Sequence, residues 1–222
     1  MNIGVVQITS DFNSADHPRF KLLRDEIIPT FLNTVGGERY TLVSPANKEL
    51  QTLVESGGGT FVEYTGWKKD KSRKFREGLL TRSEEWVAFL DDDILPDADW
   101  LKRSSEFLAT AVPGQYGFRL TDADGNRHEF GEDWMQFASP RFGLRHRGLR
   151  YDINSNYIEQ SPTSYVANSF VHEETYNMVQ PFGIFGKAPD VSWSFAIKEA
   201  GFPVGFILQA RAYHLGNRKD NR

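Results

Sequence analysis

Trp86-Val87-Ala88-Phe89-Leu90-Asp91-Asp92-Asp93-Ile94-Leu95-Pro96-Asp97-Ala98-Asp99-Trp100 decides how this chain reads. Trp86 to Leu90 form an unbroken apolar run with the length and bulk of a strand, and they lead straight into a loop where five of nine residues, 91 to 99, are carboxylates. In open parallel sheets ligands bind outside the carboxyl ends of the strands, so the acidic loop lies where a site is expected.

Upstream, Ile3–Ile8 is a short apolar run that breaks into the polar stretch Thr9-Ser10-Asp11-Phe12-Asn13, a strand feeding a loop. Phe20, Leu23, Ile27, Ile28 and Phe31 fall at helical spacing between Arg19 and Phe31, and Arg39–Ser44 returns to a strand that stops at Pro45. A helix from Asn47 to about Val54 ends at Gly57-Gly58-Gly59, Thr60–Tyr64 reads as a strand and Lys71–Thr81 as a helix. This alternation predicts a parallel α/β sheet.

Downstream the spacing predicts a helix from Asp97 or Asp99 to about Ala111, a strand at Tyr116–Leu120 and a hairpin turn over Thr121–Asn126. Helical periodicity then fades through an aromatic and arginine-rich segment to about Tyr165. A last helix, Asp190 to Ala200, stops at Gly201, and Val204–Leu208 reads as a strand before His214 and a basic tail. Without internal repeats or a low-complexity linker, residues 1–222 read as one domain.

Composition narrows the chemistry. The 222 residues are 39% hydrophobic and 14% aromatic, and 26 Lys+Arg against 30 Asp+Glu give a net charge of −4. No apolar run approaches the ~18–20 residues of a transmembrane helix. The N-terminus lacks a basic leader, which makes the cytoplasm the expected address. With no cysteine there are no disulfides, thiolate metal sites or thiol nucleophiles, so any metal is held by oxygen or imidazole.

Three adjacent aspartates are costly to bury as anions, because like charges raise one another's pKa; a divalent cation removes the cost. Mg²⁺ and Mn²⁺ favour oxygen ligands, and Mg²⁺ is often held by one or two carboxylates plus a substrate's phosphates. The alternative is a solvated acidic turn capping the next helix. His214 follows the last strand and could bring an imidazole to the same sheet edge, although a lone histidine there is more often structural. Asp190 suits an N-cap, and a carboxylate so placed can also serve as a general base toward a hydroxyl.

The ordered set of an Asp-x-Asp ending a hydrophobic strand, an Asp-headed helix ending in Gly201 and a late His214-Leu215-Gly216 resembles the GT-A glycosyltransferases, and is most similar to family 2. Phe12-Asn13 is similar to the family's aromatic–Asn pair, and Lys71–Leu79 stands where it places a basic, Gly-containing helix. The resemblance implies a Rossmann-like, mostly parallel sheet flanked by helices, with a small antiparallel region in the second half. Residues 1–100 would bind a nucleotide-sugar, a UDP-sugar as first guess; 101–222 would carry acceptor and catalytic functions. It further implies that Gln7, Thr9, Phe12, Asn13, Arg73, Arg76, Asp91 and Asp92 contact the donor. Asp93, His214 and Asp91 would hold Mn²⁺ or Mg²⁺, and Asp190 would deprotonate the acceptor of a hexosyl transfer. One displacement predicts inversion. The chain departs from the family where Ser44-Pro45-Ala46-Asn47 replaces an aspartate expected for the base, where Pro189 precedes Asp190 in place of an acid, and where Ser192 replaces a frequent second aspartate.

Two basic runs remain, 68–76 and 141–150. A solvated face is their usual meaning; diphosphate binding or contact with a polyanion is the functional one. Trp134, Arg145, Arg147 and Trp193 are the candidate acceptor contacts, for a saccharide or, alternatively, for a hydroxymethylated base in DNA. A nucleotidyltransferase is disfavoured by the absence of glycine in Thr9–Asn13. A glycoside hydrolase using Asp190 with one of Asp91–Asp93, and a non-catalytic sugar- or nucleic-acid-binding module, remain as other classes.

Overall fold

A computed structural model describes residues 1–10, 12, 15–67, 70–121, 128–129, 157–158, 168–181 and 189–215; for 128–129, 157–158 and 189–192 it describes the backbone alone. Its strands join one sheet. Strands β1 (Ile3–Ile8), β2 (Tyr40–Ser44), β3 (Thr60–Glu63) and β4 (Trp86–Leu90) pair in parallel in the order β3-β2-β1-β4. Every residue of β1, β2 and β4 is buried, as expected of parallel strands covered on both faces. The fourth strand has the bounds read from the sequence.

The first helical segment differs from the expected one. Helix α1 (Pro18–Leu22) passes through a π turn, Leu23–Ile27, into α2 (Ile28–Val35). Pro29 has no N–H to donate, and just before it the Ile28 N–H bonds to the Leu23 carbonyl, five residues back. Helix α3 (Lys48–Ser56) begins where Asn47 caps it, its side chain accepting from the Leu50 N–H at 3.0 Å.

Helix α4 (Lys71–Leu79) packs on β1 and β2. A Cβ at Gly78 would come within 2.4 Å of Val6 Cγ1 and 2.8 Å of Val43 Cγ2, so only glycine allows this approach. Helix and sheet are therefore close enough for the α4 lysines to reach the sheet's carboxyl edge.

Beyond β4 the sheet changes direction. Strand β9 (Ser169–His172) is antiparallel both to β4 and to β6 (Gln115–Thr121); β10 (Val204–His214) is parallel to β6, and β5 (Ile94–Pro96) is antiparallel to β10. Two short strands, β7 (His128–Glu129) and β8 (Tyr157–Ile158), pair with β6 and β10. This is the antiparallel region expected in the second half. The turn expected over Thr121–Asn126 falls, from 122 on, outside the described residues, although β7 pairs antiparallel with the end of β6. β5, β9 and α6 (Glu173–Met178) were not separated by any periodicity. β10 does not stop near Leu208 but runs to His214 through a register shift between Ile207 and Arg211.

Helices cover both faces. On one, Trp100 of α5 (Trp100–Leu108) stacks on Phe170 at 5.1 Å and meets Phe31 and Phe118 edge-on. On the other, Trp193 of α7 (Pro189–Glu199) meets Phe89 edge-on at 5.3 Å. Burying a large apolar side chain stabilises by ~1.5–3 kcal/mol, and these tryptophans tie the helices to the strands that end at the acidic loop. Helix α7 stops at Gly201, whose φ of +90° suits glycine. No helix among the described residues is long and apolar enough to cross a membrane.

Candidate active site

The three aspartates leave β4 at the sheet's carboxyl edge and meet different partners. The Asp91 carboxylate accepts from Lys71 Nζ, 2.9 Å from each of its oxygens. Asp92 is 2% exposed; it accepts from the Ser10 N–H at 2.8 Å and from the Arg19 guanidinium. Asp93 is 4% exposed, with Oδ2 2.9 Å from Arg19 Nη2 and 3.3 Å from His214 Nε2. Its other oxygen, Oδ1, is buried without a hydrogen-bond partner among the described residues.

Burial and charge pull these acids apart. Burial raises the Asp92 carboxyl above the ordinary value, and the charge of Arg19 and the Ser10 hydrogen bond offset it only in part. For Asp93 burial acts in the same sense but is outweighed by the His214 hydrogen bond and the charges of Arg19, His214 and Lys71, so that carboxyl lies below the ordinary value. Burial likewise opposes the charge on Arg19, yet Asp92 and Asp93 outweigh it and raise that guanidinium further.

The fold delivers each partner by a different route. Lys71 and Lys74 lie one helical turn apart on α4, toward the sheet edge. Lys74 is 2% exposed, and its ammonium donates to the Thr9 carbonyl at 2.6 Å and sits 5.6 Å from the Tyr64 ring centre. His214 arrives because β10 continues past its register shift to pair with β5, His214 opposite Ile94, and because the Leu215 N–H bonds the Asp93 carbonyl at 2.8 Å. Arg19 comes from the start of α1.

Several expected contacts stand elsewhere. Arg73 and Arg76 point away from the aspartates into a separate cleft of about 500 Å³, which they line with Asp70, Glu77 and Gln180. Helical phase is the reason: 71, 74, 75 and 78 share the stripe that faces the sheet, and 73 and 76 lie off it. Gln7 is fully buried and both ends of its amide are used; Nε2 donates to the Asp91 carbonyl at 2.9 Å and Oε1 accepts from Tyr40 at 2.6 Å. It positions the Asp91 backbone rather than a ligand. The Thr9 hydroxyl is buried 2.9 Å from Ser44 Oγ. Trp193 is 0% exposed, with Nε1 donating to the Val179 carbonyl at 2.6 Å, so it is a core residue and not an acceptor platform. Its packing on Phe89 ties α7, whose first turn carries Asp190, to β4. Phe12 is half-buried against His17 and Phe20. Asn13, Trp134, Arg145 and Arg147 lie outside the described residues, as does the Asp190 side chain.

Among the described residues no group of three His, Asp or Glu is gathered for a metal, because Asp91, expected as a third ligand, turns to Lys71. Two donors do meet, Asp93 and His214, and the unpartnered Asp93 Oδ1 is a vacant acceptor beside them. An oxygen–imidazole pair with a spare carboxylate oxygen fits a Mg²⁺ or Mn²⁺ ion whose remaining ligands come from a phosphate.

This architecture is similar to solved structures. One is GalNAc-T7 with UDP, GalNAc and Mn²⁺, with a TM-score of 0.67 over 96% of this chain and 10% sequence identity. The fold is GT-A. Another is TarS of S. aureus, at a TM-score of 0.66 over 97% of the chain and 10% identity, and its 1–349 segment with UDP-GlcNAc gives 0.64 over 99% at 11% identity. The chain spans 44% of GalNAc-T7, 37% of TarS and 60% of the 1–349 segment. No protein-family model and no curated protein sequence matches it.

Proposed function

We propose that this protein is a glycosyltransferase that moves a hexose from a nucleoside-diphosphate sugar, a UDP-sugar first, to an acceptor hydroxyl with inversion. The observation that carries the reading is the partnership of Asp93 and His214 at the carboxyl edge of a GT-A sheet, beside the ammonium groups of Lys71 and Lys74. Similar structures that hold UDP with Mn²⁺, or UDP-GlcNAc, support the same donor class. Residues 1–100 form the donor half and 101–222 the acceptor and catalytic half.

Asp93 and His214 would hold a divalent cation, which when bound would supply positive charge against the negative charge of a leaving diphosphate. Asp91 is held by Lys71 at the donor's edge, and Asp92 braces the β1–α1 loop through Ser10. Lys71 and Lys74 supply positive charge on the diphosphate side. Asp190, in the first turn of α7, accepts the acceptor's hydroxyl proton from the face opposite the leaving group, so the sugar inverts. A saccharide is the first acceptor to test and a hydroxymethylated base in DNA the second.

Calorimetric titration of UDP, GDP, ADP and TDP, each with Mn²⁺ and with EDTA, tests the donor assignment. Metal-dependent binding of one nucleotide is expected; binding of none would overturn it. Asp190→Asn should leave that binding near normal and slow transfer by roughly 10²–10⁴-fold, and full activity would place the base elsewhere.

A further inference from the structure

One cation at this edge was not anticipated. Arg19 reaches Asp92 and Asp93 with a single terminal nitrogen, so one guanidinium corner serves two buried carboxylates. The arrangement is incomplete on both sides. Among the described residues, Arg19 Nε is buried without a partner, and so is Asp93 Oδ1. A buried unpaired donor and a buried unpaired acceptor each cost the desolvation they do not recover, which leaves the network poised to change partners. The side chain can do so, being 36% exposed and borne on the first turn of a five-residue helix.

The chemistry of the two loose ends specifies what would satisfy them. A carboxylate oxygen is completed by a cation, and a guanidinium edge is matched by a phosphate. We propose that Arg19 is a counter-cation of Asp93 that competes with a divalent ion for this carboxylate and transfers to the diphosphate when that ion binds, so that metal and nucleotide bind as a pair. This rests on the donor-site reading above. Asp92 remains tied to the Ser10 N–H throughout, and that bond fixes the loop from which Arg19 swings.

Mn²⁺ affinity, measured with and without UDP for the wild type and Arg19→Gln, tests the assignment. The wild type should bind Mn²⁺ alone weakly and much more tightly with UDP. Arg19→Gln should bind Mn²⁺ alone at least about tenfold more tightly, since a competing charge at contact distance has gone, and should gain less from UDP. Affinity for Mn²⁺ alone that is unchanged or weaker in Arg19→Gln would overturn the proposal. The guanidinium N–H resonance of Arg19 in the wild-type chain gives a second reading should the variant misfold. It should move when UDP and Mg²⁺ are added together, and a resonance unmoved at saturation would likewise overturn the assignment. A wild type that binds no UDP with Mn²⁺ overturns the donor site itself, whereas UDP–Mn²⁺ binding with an unaltered Arg19→Gln variant overturns the role of Arg19 alone.

Discussion

Helix α4 carries two pairs of cations that look interchangeable in sequence and behave differently in the fold. Lys71 and Lys74 face the sheet edge, where one holds Asp91 and the other is buried on the Thr9 carbonyl. Arg73 and Arg76 face an outer cleft that also contains Asp70 and Glu77. Two residues along the chain therefore separate a cation that meets the carboxylates from one that does not. Position around the helix decides this, not the density of charge, and a basic run gives no information about a site until its helical phase is assigned.

Losing the cation ligand should have the largest effect. Asp93→Ala should abolish metal-dependent nucleotide binding in calorimetry while circular dichroism shows the fold intact; unchanged binding would remove Asp93 from the metal site. Next comes the inner face of α4. Lys71→Gln should weaken UDP binding about tenfold, the equivalent of ~1.4 kcal/mol for one lost charge-assisted contact. The outer face gives the contrast: Arg73→Gln and Arg76→Gln should each leave UDP binding within about twofold, as exposed charges contribute little. If the arginines matter and the lysine does not, the two faces have been assigned the wrong way round.

A pH series adds the smallest and most local effect. Because Asp93 is held below the ordinary carboxylate value, its ionised form favours the folded chain. That contribution is complete above a pH of about 4 and is lost as the pH falls through the lower folded value. Asp93→Asn should therefore lower Tm at pH 7, and the gap to wild type should close in acid. A gap that widened in acid would reverse the direction assigned to Asp93. Asp92, raised by burial, works in the opposite sense: its ionised form opposes folding, and the cost is relieved as the pH falls through its folded value.

Much of the first half was legible because its elements are long and its strands fully apolar. Trp86–Leu90 and the start of α4 at Lys71 have the bounds read from sequence. β5 and β9 were not legible: they are three and four residues long, and their partners lie far away in the chain. The π turn ahead of Pro29 was hidden because its apolar residues keep helical spacing. At the site, the structure brings His214 within 3.3 Å of Asp93, and both lay within reach of the sequence because a strand leads to each. Lys71 and Lys74 could have been placed from the spacing 71, 74, 75, 78, one face of an amphipathic helix that is buried from Lys74 onward and exposed at Lys71. Arg19 gave only an indirect signal, the requirement that three adjacent acids find a counter-charge.

Paramagnetic broadening by Mn²⁺ in the presence of UDP, followed residue by residue in NMR spectra, tests most directly whether the carboxylate edge holds the donor. Broadening should centre on Asp93, His214 and Ser10 and spare the outer residues of α4 around Arg76 and Leu80. Broadening centred on the Arg73–Arg76 cleft would contradict the account.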